Sequence, residues 1–561
     1  MQRFIPGFRL LFRIFVFYCV FCLPWLNACS SPSPNKGGGT TESPTPPIEA
    51  PPSPTPPPTA EATPTSTPLQ EEFSDEITLD AQLNPFNYQS FTFEIHLPSD
   101  LLQEGNPPLL VCDEDASDPE RHVKEGELQT SQTLTLYGFK ASTRYECFVE
   151  VEDTDTLKTS EVIGIETPAL PTELNRIEIT IPSSNAEATG YTLVGYGEQT
   201  QNWDYMSDYT IIFDAEGEIR WYWSGYSAGD IDISFVNESV YGRDAIARGG
   251  QGGDYVVPNL LSLDGTTLMT ATTEKVTSTE YSGAFHHDAG ISADGTSFFA
   301  LVKQSAVNSE TGGSYTGFII KEIDLLSGDN VWYWDSTGDG VEQGELPEGS
   351  DSNPDPYHAN AIWDNREDGH LYLYVSLRSL HRVLKIDYDT RQIVWSLGID
   401  QDFILLEKDG SPAEDGRWFF HQHDAQRHGN RLTVYDNGKG KQNYGYDDWF
   451  TRVAEFELDE ENMTATLIYE YNESNWKEPV WGGYDTLEDG RRLIARAHCA
   501  VCVTADENNP SSIIELAAGD TPSITWRAEF TNDLVAIYRA EHIDGCRVFN
   551  NLRYCPDGHF E

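Results

Sequence analysis

Three histidines, His287, His358 and His423, stand in stretches that resemble one another: Phe285-His286-His287-Asp288-Ala289, Tyr357-His358-Ala359-Asn360-Ala361 and Phe420-His421-Gln422-His423-Asp424-Ala425. Aligned on these histidines, the copies lie 71 and 65 residues apart, and Tyr484-Asp485-Thr486-Leu487 continues the series 61 residues on without a histidine. Imidazoles gathered in one place can attack as neutral nucleophiles, move a proton near neutral pH, or ligate a metal. A lone histidine at a strand start is more often hydrogen-bonded scaffold. Three at one repeat position, with Ser376-Leu377-Arg378 behind the second, reverse that expectation. His286 and His421 are weaker members, each able to point into a neighbouring repeat.

The elements that must position them follow from the repeat. Each copy precedes a turn signal (Asp294-Gly295, Asp368-Gly369, Gly429-Asn430, Asp489-Gly490) and then a β-rich run. A period of this length built from short strands predicts a β-propeller, whose equivalent positions face one axis. A second phrase, an acidic residue, a tight turn and a strand ending in tryptophan, recurs from Asp214 to Trp221, Asp324 to Trp332 and Asp387 to Trp395, and more loosely from Glu515 to Trp526. These tryptophans are expected to pack blade on blade, with a quinone-cofactor propeller as the alternative. The length from residue 171 to 561 gives about six blades. The stretch 235–280 is irregular, and the C-terminal strand is expected to close the ring.

Several separated motifs in order resemble the bacterial arylsulfate sulfotransferase family over residues 175 to 545. They are Tyr357-His358-Ala359-Asn360, Ser376-Leu377-Arg378, Trp395-Ser396-Leu397-Gly398, Gln422-His423 and the double histidine His286-His287. The resemblance implies a six-bladed propeller that moves a sulfuryl group between phenols without a nucleotide donor, cofactor or metal. It places His423 as the nucleophile that becomes sulfated, with Arg378, His358 and His287 around the sulfate. The physics agrees: transfer of this kind spreads negative charge over equatorial oxygens, by analogy with phosphoryl transfer, and an arginine offers them a planar fork. Asn360, two residues from His358, orients that ring or touches substrate; Tyr357 and Trp418 are candidates to stack on the aryl ring. Asp424 is not assigned to hold His423, because adjacent strand residues face apart.

Two other readings stay open. His287, His358 and His423 with His498 or His542 could ligate a metal, although Arg378 in the same pocket opposes a divalent cation. A non-catalytic propeller that binds a glycan or a protein fits the repeat equally well. Asp335-Ser336-Thr337-Gly338-Asp339-Gly340 begins like a calcium loop, but the twelfth position is Leu346 where a glutamate is needed, so an acidic surface turn is expected.

The remaining composition sets the context. A formal net charge of -55 over 561 residues opposes nucleic acid and anionic membrane surfaces as partners and favours solubility, and a small anionic substrate would need a locally basic pocket. Residues 1–29 read as a lipoprotein signal, with Arg3, Arg9 and Arg13 before the apolar run and Cys29 as the lipidated residue. Membrane contact is then through the lipid anchor alone, in a bacterial cell envelope, with the outer membrane favoured by Ser30. Residues 30–71 form a Pro/Ser/Thr-rich disordered tether. Residues 72–170 read as a fibronectin type III or immunoglobulin-like β-sandwich, with a tyrosine corner at Tyr145, and residues 171–561 as the propeller, so the fold class is all-β. Six mature cysteines fall into the pairs Cys112 with Cys147, Cys499 with Cys502 and Cys546 with Cys555, with pairing of Cys499 or Cys502 to the last two left open. A homodimer is also left open.

Overall fold

The computed structural model describes residues 70–102, 107–117, 119–153, 156–184, 190–199, 205–223, 230–236, 239–251, 258–271, 285–341, 344–350, 352–497, 510–531 and 535–555. The leader, Cys29, nearly all of the tether, His498, Cys499 and Cys502 lie outside these residues. The protein is all-β, with a propeller as its larger part.

The N-terminal part pairs a three-stranded sheet (Thr78–Leu83, Phe91–His96, Ser131–Leu136) with a six-stranded one centred on Arg144–Asp153. Alternation decides which faces meet. Phe91, Phe93 and Ile95 point inwards and Thr92 and Glu94 outwards, and with Leu110, Leu136, Tyr145 and Val149 they form one core. The Tyr145 hydroxyl accepts the Lys140 N–H at 3.0 Å. Cys112 and Cys147 face each other on paired strands and are disulfide-bonded, as are Cys546 and Cys555.

Among the described residues the larger part contains six sheets, each with four antiparallel strands side by side; one of them adds a fifth, parallel strand, Ile404–Leu406. Five begin at an innermost strand: Asp230–Val236, Phe285–Ile291, Ala359–Glu367, His423–His428 and Gly483–Thr486. In the remaining sheet the innermost strand is Val535–Ile543, which pairs with Tyr191–Gln199 and so joins the end of the chain to its beginning. Each innermost strand touches the next, and the sequence of contacts returns on itself. That is why residues distant in sequence meet at one axis. The region that reads as irregular holds an ordinary meander, Asp230–Val236 to Thr267–Thr270, without the repeated phrases.

The repeated tryptophans tie sheet to sheet. The indole N–H of Trp221 donates to Leu263 O at 2.7 Å, that of Trp332 to Tyr388 O at 3.1 Å and that of Trp526 to Ala215 O at 2.9 Å, each on a neighbouring sheet. Trp395 departs from this: its N–H has no partner and its ring packs on Phe403 and Tyr374. In the turn 335–340, Asp335 accepts from Thr337 and Asp339 accepts the Asp335 N–H, so both carboxylates serve the turn itself.

The sandwich docks on the ring-closing sheet through a buried charge cluster. The Arg220 guanidinium donates to Asp214 at 2.6 Å and to Glu120 of the sandwich at 2.9 Å. Burial pushes Glu120 up, but Arg220 beside it outweighs this and holds the carboxyl down at about 2.

Candidate active site

The site lies where the innermost strands begin. Each of four such strands breaks register there: Phe285/Ala289, Ala359/Ala361, His423/Gln426 and, on the closing strand, between the partners of Val194 and Tyr196. A bulge adds a residue and re-aims its side chain. His287, His358 and Asp424 hold positive φ of 59°, 47° and 48°, a left-handed conformation that costs a non-glycine residue roughly 1 kcal/mol or more.

These bulges also correct the repeat register. The Asp288 carboxylate accepts the Ile362 N–H of the next sheet at 2.8 Å, and Asp424 accepts the Tyr484 N–H of its next sheet at 2.7 Å. Asp288 and Asp424 are therefore equivalent, and Asn360 is the residue at that place in the sheet between. His287 and His423 directly precede this position, whereas His358 stands two residues before it, as His286 does. The three histidines are thus not at one repeat position. They converge because the bulges turn them to a common point.

That convergence is close. His287 Nε2 and His358 Nε2 are 3.0 Å apart, and the His287 ring lies 6.3 Å from that of His423. His286 joins them, its ring 3.9 Å from His287 and its Nε2 buried without a partner. His286, His287 and His358 each offer a nitrogen, all within 4.8 Å of one another. His423 and His542 are not members of that group.

His423 is buried and its protonation pattern is fixed. Its Nδ1 faces Asn437 Oδ1 at 2.7 Å. The Asn437 amide is oriented by two carbonyls, donating to Glu478 O at 2.7 Å and Trp481 O at 3.0 Å, so its oxygen must face the ring. The ring is therefore Nδ1–H, and its lone pair sits on Nε2, where the Trp481 N–H approaches at 3.3 Å. Burial, and after it the Arg378 charge, hold the imidazole well below its usual value, so it is neutral at neutral pH. Burial likewise lowers His286 and His287, and it pushes His421 down to about 3, with Arg378 the next cause.

Two of the sequence motifs clasp each other. The Gln422 amide donates to Ser376 Oγ at 3.0 Å and to Arg382 O at 2.9 Å, and Asn360 donates to Gln422 O at 2.8 Å. The strand before Arg378 is thereby locked to the strand of His423. Arg378 opens a short turn, its backbone N–H on His358 O. Its guanidinium donates to Pro479 O at 3.1 Å, its Nε has no partner, and among the described residues no carboxylate pairs with it. An arginine with free donors in a desolvated place is a ready anion seat.

His287, His358, His423, Arg378 and Asn360 are thus brought into one neighbourhood. Tyr357 and Trp418 are not. Tyr357 is buried against Tyr315 and Phe318 with its hydroxyl on Pro347 O, and Trp418 stacks on Phe456 in another core. The aromatic wall beside the imidazoles is instead Tyr538, stacked on His287 with ring centroids 6.4 Å apart, together with Trp481. Tyr538, Trp481, Asn437 and Asp355 carry no repeat signal. Asp355, three residues before His358, had the only local cue.

The Arylsulfotransferase (ASST) family model matches residues 178–539. No curated protein matches the chain. Among solved structures, the periplasmic gluconolactonase PpgL of Pseudomonas aeruginosa is 11% identical, covering 78% of this chain and 99% of its own, with a TM-score of 0.32. The Cps50 (Swd1) β-propeller domain of Myceliophteria thermophila is 11% identical over 65% of this chain and 89% of its own, at 0.30. Saccharomyces cerevisiae Sqt1 is 9% identical over 77% and 93%, also at 0.30. Scores this low bear on neither the site nor its chemistry.

Proposed function

The chain belongs to the arylsulfotransferase family, and from that premise we propose that it moves a sulfuryl group from an aryl sulfate to a phenol through a sulfated His423, without a nucleotide donor. The family makes it a sulfotransferase acting on phenolic compounds; the intermediate and the donor class are our reading. One observation carries it: a neutral imidazole whose Nδ1–H is fixed by Asn437, with its lone pair on Nε2, where the Trp481 N–H approaches at 3.3 Å, and with the charge of Arg378, whose Nε has no partner, acting on the ring.

In the first half-reaction, His423 Nε2 attacks sulfur as the bond from sulfur to the phenolic oxygen breaks. Arg378 meets the charge that develops on the equatorial oxygens, where a pre-aimed donor acts most strongly. The ring becomes positive as the N–S bond forms, and the Nδ1–H bond to Asn437 strengthens with it. The phenol departs, an acceptor phenol enters, and its oxygen takes the sulfuryl group back from Nε2. Tyr538 and Trp481 offer the aromatic surfaces for both phenols.

The test is sulfuryl transfer from a chromogenic aryl sulfate to phenol, with neither nucleotide nor metal added. The wild type is expected to release chromophore faster when phenol is present and to show one added sulfuryl group on His423 by mass spectrometry when phenol is withheld. His423→Ala and Arg378→Ala are expected to be inactive. A folded wild type inert towards a panel of aryl sulfates refutes the reading. The spacing of His286, His287 and His358 favours a second one, a histidine-held metal; metal bound in stoichiometric amount, with activity lost on chelation, would replace sulfohistidine chemistry by it.

A further inference from the structure

We propose that Asp355 is a positioning residue that makes the Nε2 atom of His358 the point where one proton is stored between the two half-reactions. The inference rests on the sulfuryl-transfer reading above. Both oxygens of Asp355 hold His358: Oδ1 accepts its backbone N–H at 3.0 Å, and Oδ2 faces its Nδ1 at 2.7 Å. An ionised carboxylate only accepts, so Nδ1 must carry hydrogen. Burial alone would push Asp355 up; the bond to His358 outweighs it and holds the carboxyl below its usual value. With Nδ1 committed, Nε2 is the one nitrogen of His358 where a proton can come and go.

Nε2 faces His287 Nε2 at 3.0 Å. Burial, then the neighbouring imidazoles, keep His287 neutral, and the Asp355 carboxylate lies against the Nδ1 side of His358, 2.7 Å away. His358 is also the more open of the two, with its side chain 25% exposed, which is where a phenolic oxygen has access.

The proton count then closes. As sulfur moves to His423, the His358 Nε2–H bond breaks and an O–H bond forms on the departing phenol. His358 is left neutral with hydrogen on Nδ1. In the second half-reaction the acceptor's O–H bond breaks, its proton returns to Nε2, its oxygen bonds sulfur, and the N–S bond to His423 breaks. Asp355 itself transfers nothing. It fixes the tautomer and offsets the charge of the doubly protonated ring, as a carboxylate does behind a histidine in hydrolytic triads.

The experiment compares donors whose need for a proton differs. Unsubstituted phenol, with a pKa near ~10, is a poor leaving group as phenolate; para-nitrophenolate leaves readily. In Asp355→Asn, the amide can turn an N–H towards Nδ1 and reverse the tautomer. With phenyl sulfate as donor, kcat is expected to fall on the order of 10²-fold, within the usual range for loss of general acid–base assistance. The pre-steady-state burst of nitrophenolate from para-nitrophenyl sulfate is expected to fall less than about 5-fold, with KM for both donors little changed. Asp355→Ala should show the same selectivity. An equal loss with both donors in both variants makes Asp355 a brace for the turn and overturns the inference. No loss with either donor overturns it too. A wild type that releases neither phenol overturns the sulfuryl-transfer reading and this inference with it, a result distinct from the other two.

Discussion

Replacing Asn437 by alanine tests the assignment of His423 most directly. In the resting site the bond from His423 Nδ1–H to Asn437 Oδ1, 2.7 Å long, joins two neutral groups and contributes about 0.5–1.5 kcal/mol. When Nε2 bonds sulfur the ring becomes cationic, and the same bond becomes charge-assisted, at about 1.5–3 kcal/mol. Only the increment, roughly 1–1.5 kcal/mol, lowers the barrier, because the rest is present in both states. That is about 5- to 12-fold in kcat at about 1.4 kcal/mol per decade. Release of the tautomer adds to it, since a ring with hydrogen on Nε2 cannot attack, so a 10- to 100-fold fall is expected, roughly. Stability should fall as well. Glu478 O loses its 2.7 Å donor and keeps the 3.4 Å contact from Thr451, and the bond to Trp481 O is lost too, at about 0.5–1.5 kcal/mol for each hydrogen bond removed. The assay is steady-state sulfuryl transfer at saturating phenol, with a thermal melt of each variant. Asn437→Asp separates the effects: it keeps an acceptor towards Nδ1 but loses both N–H donors, so it should retain more kcat than the alanine variant while melting no higher. An alanine variant with kcat within twofold of wild type would refute the argument that Asn437 fixes the nucleophile.

Three further outcomes follow from the same geometry. His421 is held at about 3 in the fold, below the ~6.5 of an unfolded chain, so its contribution to stability is full above pH ~6.5 and lost as pH falls; His421→Gln should lose less Tm between about pH 7 and 5 than wild type, and an equal slope would refute this. Arg220→Met strands Asp214 and Glu120 as buried charges and should cost about 3–5 kcal/mol in urea unfolding, with partial recovery in Arg220→Met/Glu120→Gln; a loss under about 1 kcal/mol would show that the cluster is hydrated. Arg378→Lys keeps the charge but not the planar fork, so kcat should fall at least about 10-fold with the fold intact; full activity would mean that charge alone suffices.

The fold was legible where short-range rules act. The turn-and-tryptophan phrase marks sheet after sheet because an indole N–H needs a buried partner, and Trp221, Trp332 and Trp526 each find one on a neighbouring sheet. Alternation at Phe91 to Ile95 marks a sandwich strand for a similar reason. The sheet from Asp230 to Thr270 obeys the same pairing but carries no such phrase, so its regularity does not show in the letters. The site was half legible. His287, His358 and His423 stand out by type and approximate period, yet their alignment slips by one at His358. A bulge adds a residue without leaving a mark in sequence, and only the bonds from Asp288 and Asp424 to the next sheet fix the register. Tyr357 and Trp418 were plausible as aryl platforms by proximity in sequence, but large aromatic rings at those places fill cores. Tyr538, on the closing strand, is 251 residues from the His287 it stacks on, a distance no local pattern spans.

The charge of the chain poses a sharper problem than its fold: how a protein of net charge -55 seats an anionic donor. The axis resolves it by where each acid's charge is spent. Asp288 and Asp424 both lie near the site, but Arg539 sits between them, 3.0 Å from one and 3.5 Å from the other, and each also accepts a backbone N–H. Burial, then repulsion from Asp424, pushes Asp485 up to about 7, so it carries less than a full negative charge near neutral pH. Asp355 faces His358, and the Arg378 guanidinium donates to Pro479 O while, among the described residues, no carboxylate forms an ion pair with it. An arginine about 4 Å from a sulfate in a medium of effective dielectric near 20 contributes about 4 kcal/mol. Surface carboxylates more than about 8–10 Å away are screened at physiological salt. A donor at the site would therefore meet the charge of Arg378, with that of Lys303 also acting on His286 and His287, while the bulk of the acidity lies where solvent shields it. Burial first, and then the Arg378 charge, keep His423 neutral, so in the proposed chemistry the cation that would seat the sulfate is also one that opposes protonation of the proposed nucleophile.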